Sequence, residues 1–185
     1  KGNLSALHQP SLSIVGTRNP TSYGARIAGD FAAGFADREW AIVSGGAYGI
    51  DSYAHKGALI AEGVTVAVVA SGIDINYPAG NTRLFSEICE SGAIVTEFMP
   101  GHKALPNRFL TRNRIIAALS LGVVVIEAAS GFELVGYRTP SQMEHFAESL
   151  RQPIAVARIA LQAESVRMAK VDSAWSGYLV VWGLM

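Results

Sequence analysis

The chain has 185 residues, enough for one domain with a sizeable buried core. Half of them are hydrophobic and 16% are charged, which excludes extensive disorder. Lys plus Arg number 15 and Asp plus Glu number 15, which excludes a histone-like polycation but leaves room for a local basic patch.

In chain order, a compact apolar run at residues 12–15 predicts a first strand, and residues 22–35 predict a helix. Ala25, Ile27, Ala28, Phe31, Ala32 and Phe35 form an apolar stripe along that helix. Strands follow at 40–43, 64–70, 93–95 and 123–126, separated by helices at 50–61, 81–90 and 111–119. The strands are continuous Val- and Ile-rich runs, as expected of parallel strands covered on both faces. Repeated strand–helix order predicts an α/β doubly wound, mainly parallel sheet with helices on both faces and right-handed crossovers. The last third is less regular. Pro140 is a candidate helix start, residues 153–156 a strand and residues 177–182 an edge strand. No linker or internal repeat divides the chain, so residues 1–185 are read as a single domain. Its first residue is Lys, not Met, so a piece of a longer chain is expected.

Three strands run into polar, glycine-containing turns. The first ends in Gly16, Thr17 and Arg18; the second in Ser44, Gly45, Gly46 and, after Ala47 and Tyr48, Gly49; the third in Ser71, Gly72 and Asp74. In an open parallel sheet such turns share the carboxyl edge, where ligands bind. Glycine lets the backbone approach an anion, and N–H groups at the next helix start attract phosphate. A clean GxGxxG is missing, since Ser44 stands in its first place, and no GxxxxGK[ST] occurs. Residues 98–126 and 1–29 contain no Asp or Glu but do contain Arg18, Arg26, Lys103, Arg108, Arg112 and Arg114, which predicts a face of positive potential. Phe109 lies among these cations and could stack a base; the alternative is that it fills the core while the arginines are solvated.

Signals for catalysis are thin. Asp51 and His55 share a helix face and could act as base and orienter, or Asp51 could serve the helix start and His55 bond nearby. No GxSxG surrounds Ser44, and His8, His55, His102 and His145 lack metal-ligand spacing, so no metal or cofactor is expected. Cys89 is the single cysteine, which excludes an internal disulfide and suggests a reducing compartment. No signal-peptide pattern is present, and the apolar runs at 64–70 and 121–126 are too short to span a bilayer. A cytoplasmic domain without membrane association is expected.

The chain resembles the DNA processing protein A family (DprA, also called Smf). The resemblance rests on residues 13–18 (Ser-Ile-Val-Gly-Thr-Arg) with Tyr23 and Gly24, and on residues 43–51 (Val-Ser-Gly-Gly-Ala-Tyr-Gly-Ile-Asp) with residues 54–59 (Ala-His-Lys-Gly-Ala-Leu). It continues through Gly72, Asp74, Tyr77, Pro78, Asn81, Thr96 and Glu97 to residues 109–116 (Phe-Leu-Thr-Arg-Asn-Arg-Ile-Ile) and residues 125–128 (Val-Ile-Glu-Ala). It implies an extended Rossmann-like domain that binds single-stranded DNA, forms a homodimer and loads RecA recombinase onto incoming strands in natural transformation. No enzymatic turnover is implied. By position, Gly16, Thr17 and Arg18 would wall the pocket, and Ser44, Gly45, Gly46 and Gly49 would form the phosphate-approach turn. Lys56 would project from the following helix, while Phe109, Arg112, Asn113 and Arg114 would supply stacking, charge and hydrogen bonds. The chain departs from the family in Leu110, where the family has Pro, and throughout residues 130–185, where the dimer surface would lie. The enzyme alternative is a nucleotide or nucleoside-phosphate hydrolase of the related phosphoribohydrolase type, whose Pro-Gly-Gly-x-Gly-Thr turn is absent here.

Overall fold

The computed structural model describes residues 1–127 and 179–182. After a short 3₁₀ turn at Leu4–His8, the chain runs β1 (Ser11–Gly16), α1 (Ser22–Ala36), β2 (Ala41–Ser44), α2 (Ile50–Ile60), β3 (Thr65–Val68), α3 (Thr82–Ser91), β4 (Ala93–Val95), α4 (Pro106–Leu119) and β5 (Gly122–Ile126). A last strand, β6 (Leu179–Trp182), closes the edge. The sheet order is β4-β3-β2-β1-β5-β6. Strands β1 to β5 are all parallel, and β6 is antiparallel to β5. This is the α/β, Rossmann-like architecture expected from the strand–helix alternation.

Side-chain parity along the strands builds the two faces. Leu12, Ile14, Ile42, Val124 and Ile126 pack on Ala28, Ala32 and Phe35 of α1 and Ile50, Ala54 and Ala58 of α2. Ala67, Val69 and Ile94 meet Leu84, Phe85 and Ile88 of α3. The alternate residues Val15, Val43, Val66, Val68, Val123 and Val125 face Ile116 and Ala117 of α4. Every interior strand therefore buries apolar residues on both sides, with Ser13, Ser44 and Thr65 as buried polar members, which explains why the runs do not alternate. Each fully buried Ile, such as Ile14, Ile42 or Ile50, contributes about 1.5–3 kcal/mol.

Within residues 1–127, two boundaries differ from the expected ones by more than one residue. Helix α4 begins at Pro106 rather than at residue 111: proline suits the first helical position, and the first turn is polar and exposed, so it carries no apolar period. Strand β3 ends at Val68, although Val69 and Ala70 remain buried beyond it. The expected helix after Pro140 and strand at 153–156 lie outside the described residues.

The topology fixes where a ligand site can form. From β1 the chain steps outward through β2, β3 and β4, then returns to place β5 on the other side of β1. The carboxyl ends of β1 and β5 thus flank the switch point, where loops diverge and leave a crevice.

Candidate functional site

At the end of β1, the Thr17 N–H donates to the Glu127 carbonyl at 3.0 Å, and the Thr17 carbonyl accepts from the Ile50 N–H at 3.1 Å. The turn is clamped between β5 and the start of α2. Gly49 makes this possible: its φ is 78°, and a Cβ there would lie 2.3 Å from the Thr17 carbonyl oxygen. Held in this way, Arg18 projects outward, with its guanidinium carbon 4.9 Å from the centroid of the Phe109 ring. Tyr77, 48% exposed, packs against the same ring, its ring centroid 5.6 Å from that of Phe109 at an interplanar angle of 55°. Three distant segments therefore converge on a cationic and aromatic platform at the sheet's carboxyl edge. A cation beside an accessible ring can neutralise phosphate while the ring accepts an unstacked base.

Behind the platform, the second glycine turn is built to face inward. Ser44 is fully buried and donates its hydroxyl to the Ile14 carbonyl at 2.6 Å. Arg112 is only 5% exposed; its Nη1 donates to the Gly45 carbonyl at 2.5 Å and to the Val68 carbonyl. Its Nη2 lies 3.8 Å from Asp51 Oδ2, and Asp51 accepts from the Ala47 N–H at 3.3 Å. A Cβ at position 45 would overlap the Arg112 guanidinium, so a side chain there would displace that group from its acceptors. Asn81 completes the lock, donating its Nδ2 to the Gly46 carbonyl at 3.0 Å and the Ala47 carbonyl at 3.3 Å. Burial pushes the Asp51 carboxyl above its ordinary value, while the Arg112 charge and the Ala47 N–H act the other way.

The expected residues therefore separate. Thr17, Arg18 and Phe109 come together at the front with Gly16 and Gly49 beneath them. Ser44, Gly45, Gly46 and Arg112 form the layer behind, where Arg112 neutralises a buried carboxylate and binds carbonyls. Arg112, to which the resemblance gives a charge for the strand, is buried here, its guanidinium engaged by acceptors that the sheet gathers around it. Asn113 accepts from Arg112 Nε at 3.1 Å, and Arg114, exposed, pairs with Glu97. Lys56 lies on the exposed side of α2, facing α3. The helix starts are also less open to phosphate than the turns suggested. At α1, the Glu127 carboxylate accepts from the Thr21 N–H at 2.7 Å and from the Thr21 hydroxyl, which in turn accepts from the Gly24 N–H. At α2, Asp51 holds the Ala47 N–H.

Asp51 and His55 do not pair as base and orienter. His55 is fully buried, and its Nδ1 lies 2.7 Å from Thr65 Oγ1. The Thr65 hydroxyl donates to the Ile42 carbonyl at 2.7 Å, so it accepts from His55, whose proton is assigned to Nδ1. Burial, reinforced by the Arg112 charge, lowers the His55 pKa to about 3, so the ring is neutral.

Tyr77, Tyr48, Asn81 and Glu127 escaped the sequence-based site assignment. Tyr48 and Tyr77 leave a trace in the sequence as aromatic residues in polar turns. Asn81 and Glu127 belong to the family pattern, but their roles are not readable from it, because their partners lie 34 and 106 residues away. Among the described residues no three His, Cys, Asp or Glu side chains group to hold a metal ion, and no helix is long and apolar enough to cross a membrane.

A family model for DNA recombination-mediator protein A matches residues 1–131. A DprA-named relative from Mycobacterium tuberculosis is 53% identical over 116 residues, which make up 63% of this chain and 30% of that one. The X-ray structure of DNA processing protein A from Streptococcus pneumoniae superposes with a TM-score of 0.68 at 38% identity, covering 82% of this chain and 51% of that one. A structure of DNA processing protein A from Helicobacter pylori, solved for its single-stranded DNA binding mode, gives a TM-score of 0.65 at 30% identity, covering 82% of this chain and 67% of that one. The chain spans about a third of the Mycobacterium relative and about half of the Streptococcus structure.

Proposed function

We propose that this chain, which belongs to the DNA recombination-mediator protein A family, binds single-stranded DNA at the carboxyl edge of its sheet. The observation that carries this reading is the platform of Arg18, Phe109 and Tyr77, an aromatic pair with a cation 4.9 Å from one ring. Bases in a duplex are stacked on one another and present no face to such a platform. A single strand presents both its faces and its phosphates. Sequence preference is expected to be small, because stacking and phosphate neutralisation do not read base edges.

The role is binding rather than turnover. Asp51 and His55, the pair closest to an acid–base arrangement, are buried and committed to separate partners. Family resemblance extends the proposal to a cytoplasmic homodimer that loads RecA recombinase onto single strands during natural transformation. Size-exclusion chromatography and RecA nucleation on coated single strands test those parts.

The primary test is fluorescence anisotropy of a labelled oligo-dT titrated at several salt concentrations with a duplex competitor. The expected result is single-strand preference with a log–log salt slope of about −0.7 for each phosphate contact. A folded chain that binds no oligonucleotide at low salt overturns the proposal. Release of free base from a nucleoside monophosphate, abolished by substitution of Asp51, would instead establish the hydrolase.

A further inference from the structure

Beyond the platform, a cleft of about 540 Å³ lies between α2 and α3, in the size range of small-ligand pockets. Lys56 and Arg83 stand on its walls with Glu87, and Gly80 lies at one end. The Arg83 side chain is 92% exposed, and its Nε donates to Glu87 at 2.8 Å. Two cations against one carboxylate leave these walls with a net positive charge. Lys56 Nζ is 5.8 Å from the centroid of the Tyr53 ring.

Tyr48, which is 51% exposed, borders the cleft at Gly80. The Tyr48 ring covers Gly80, where a Cβ would lie 2.6 Å from the tyrosine hydroxyl. On its other side the neighbouring Gly49 lies against Arg18, a Cβ there falling 2.6 Å from the Arg18 Cα. An exposed ring thus recurs beside a cleft that carries two cations, next in the chain to the glycine that packs on Arg18. Asn81 lines the cleft and bonds the second glycine turn, which fixes the cleft wall to the layer behind the platform.

We propose that the cleft between α2 and α3 is a second nucleotide subsite, in which a base stacks on Tyr48 and its phosphate lies between Lys56 and Arg83. It receives a single strand that leaves the Tyr77–Phe109–Arg18 platform and crosses Gly49. The inference rests on the single-stranded DNA reading above and extends it to the direction of the strand. It also gives Lys56 a role in a place distinct from the arginine platform.

The test compares labelled oligo-dT of about 4 and about 12 nucleotides, which bracket much of the range of single-strand site sizes. The full chain is expected to bind the longer oligonucleotide about tenfold or more tightly. Tyr48→Ala and Arg83→Ala should each weaken long-oligonucleotide binding by about fivefold or more. Lys56→Ala should reduce the magnitude of its salt slope by about 0.7. Glu87→Gln, which removes a carboxylate from the wall, should strengthen it. Tyr48, Lys56 and Arg83 are exposed, so thermal melts should match those of the parent chain. The subsite is overturned if long-oligonucleotide affinity and salt slope are unchanged in all three weakening variants while Phe109→Ala weakens both oligonucleotides; the platform reading then stands alone. If the parent chain binds neither oligonucleotide, the DNA reading falls and the subsite with it.

Discussion

Replacing Arg112 by Ala should destabilise the fold more than any change at the exposed arginines. The guanidinium bonds the Gly45 and Val68 carbonyls and lies 3.8 Å from the buried Asp51 carboxylate. Truncation leaves that carboxylate without its cation and both carbonyls without this donor. Removing one member of a buried pair costs about 3–5 kcal/mol, a large share of a domain's total stability of about 5–15 kcal/mol. Arg112→Lys retains the charge but not the planar fork, so a loss of about 1–3 kcal/mol is expected. Combining Arg112→Ala with Asp51→Asn should cost less than the sum of the two single changes, because the orphaned charge is gone. Urea denaturation at pH 7 measures the parent and all four variants. An Arg112→Ala chain with parental stability but uniformly weak binding to single strands would refute the reasoning and return Arg112 to the phosphate front.

His55→Asn should change the pH dependence of stability. The His55 pKa falls from its ordinary 6.5 to about 3 on folding, so the unfolded chain takes up the proton first. Stability from this group is complete above pH 6.5 and decreases as the pH falls, by about 2 kcal/mol between pH 7 and 5. The elevated Asp51 carboxyl acts with the opposite sign in both proteins, so the difference between their urea midpoints at the two pH values isolates His55. Gly49→Ala should destabilise the chain by about 1–3 kcal/mol, because the positive φ and the Thr17 carbonyl both oppose a side chain. A thermal melt indistinguishable from that of the parent would contradict this. Phe109→Ala should weaken oligo-dT binding by roughly 1–3 kcal/mol, and Arg18→Ala should weaken all single-strand sequences alike. Unchanged anisotropy titrations of the folded variants would exclude both residues from the platform.

Much of the fold was legible because its signals are local. The runs ending in Val15, Val43, Val68 and Ile126 are apolar apart from the buried Ser13 and Thr65 because helices cover both sides of each interior strand. The apolar stripe of α1 follows from helical geometry alone. The start of α4 was not legible, since Pro106 opens a polar first turn that faces solvent. In the site, Arg18 and Phe109 could be assigned from their motifs. Tyr77, though part of the family pattern, could not be placed in the site, because the ring it packs on lies 32 residues away.

What the sequence by itself determined was the order of strands and helices, the glycine turns that follow β1 and β2, and the family pattern across residues 13–128. Tertiary structure alone decided which charges face water. An arginine carries no mark of burial in its own segment. Arg112 turns inward because the sheet order brings the Gly45 and Val68 carbonyls and the Asp51 carboxylate within its reach. Arg18 turns outward because its turn is clamped between Glu127 and Ile50, leaving the guanidinium beside Phe109. The difference lies in acceptors contributed by distant segments, and only folding assembles them.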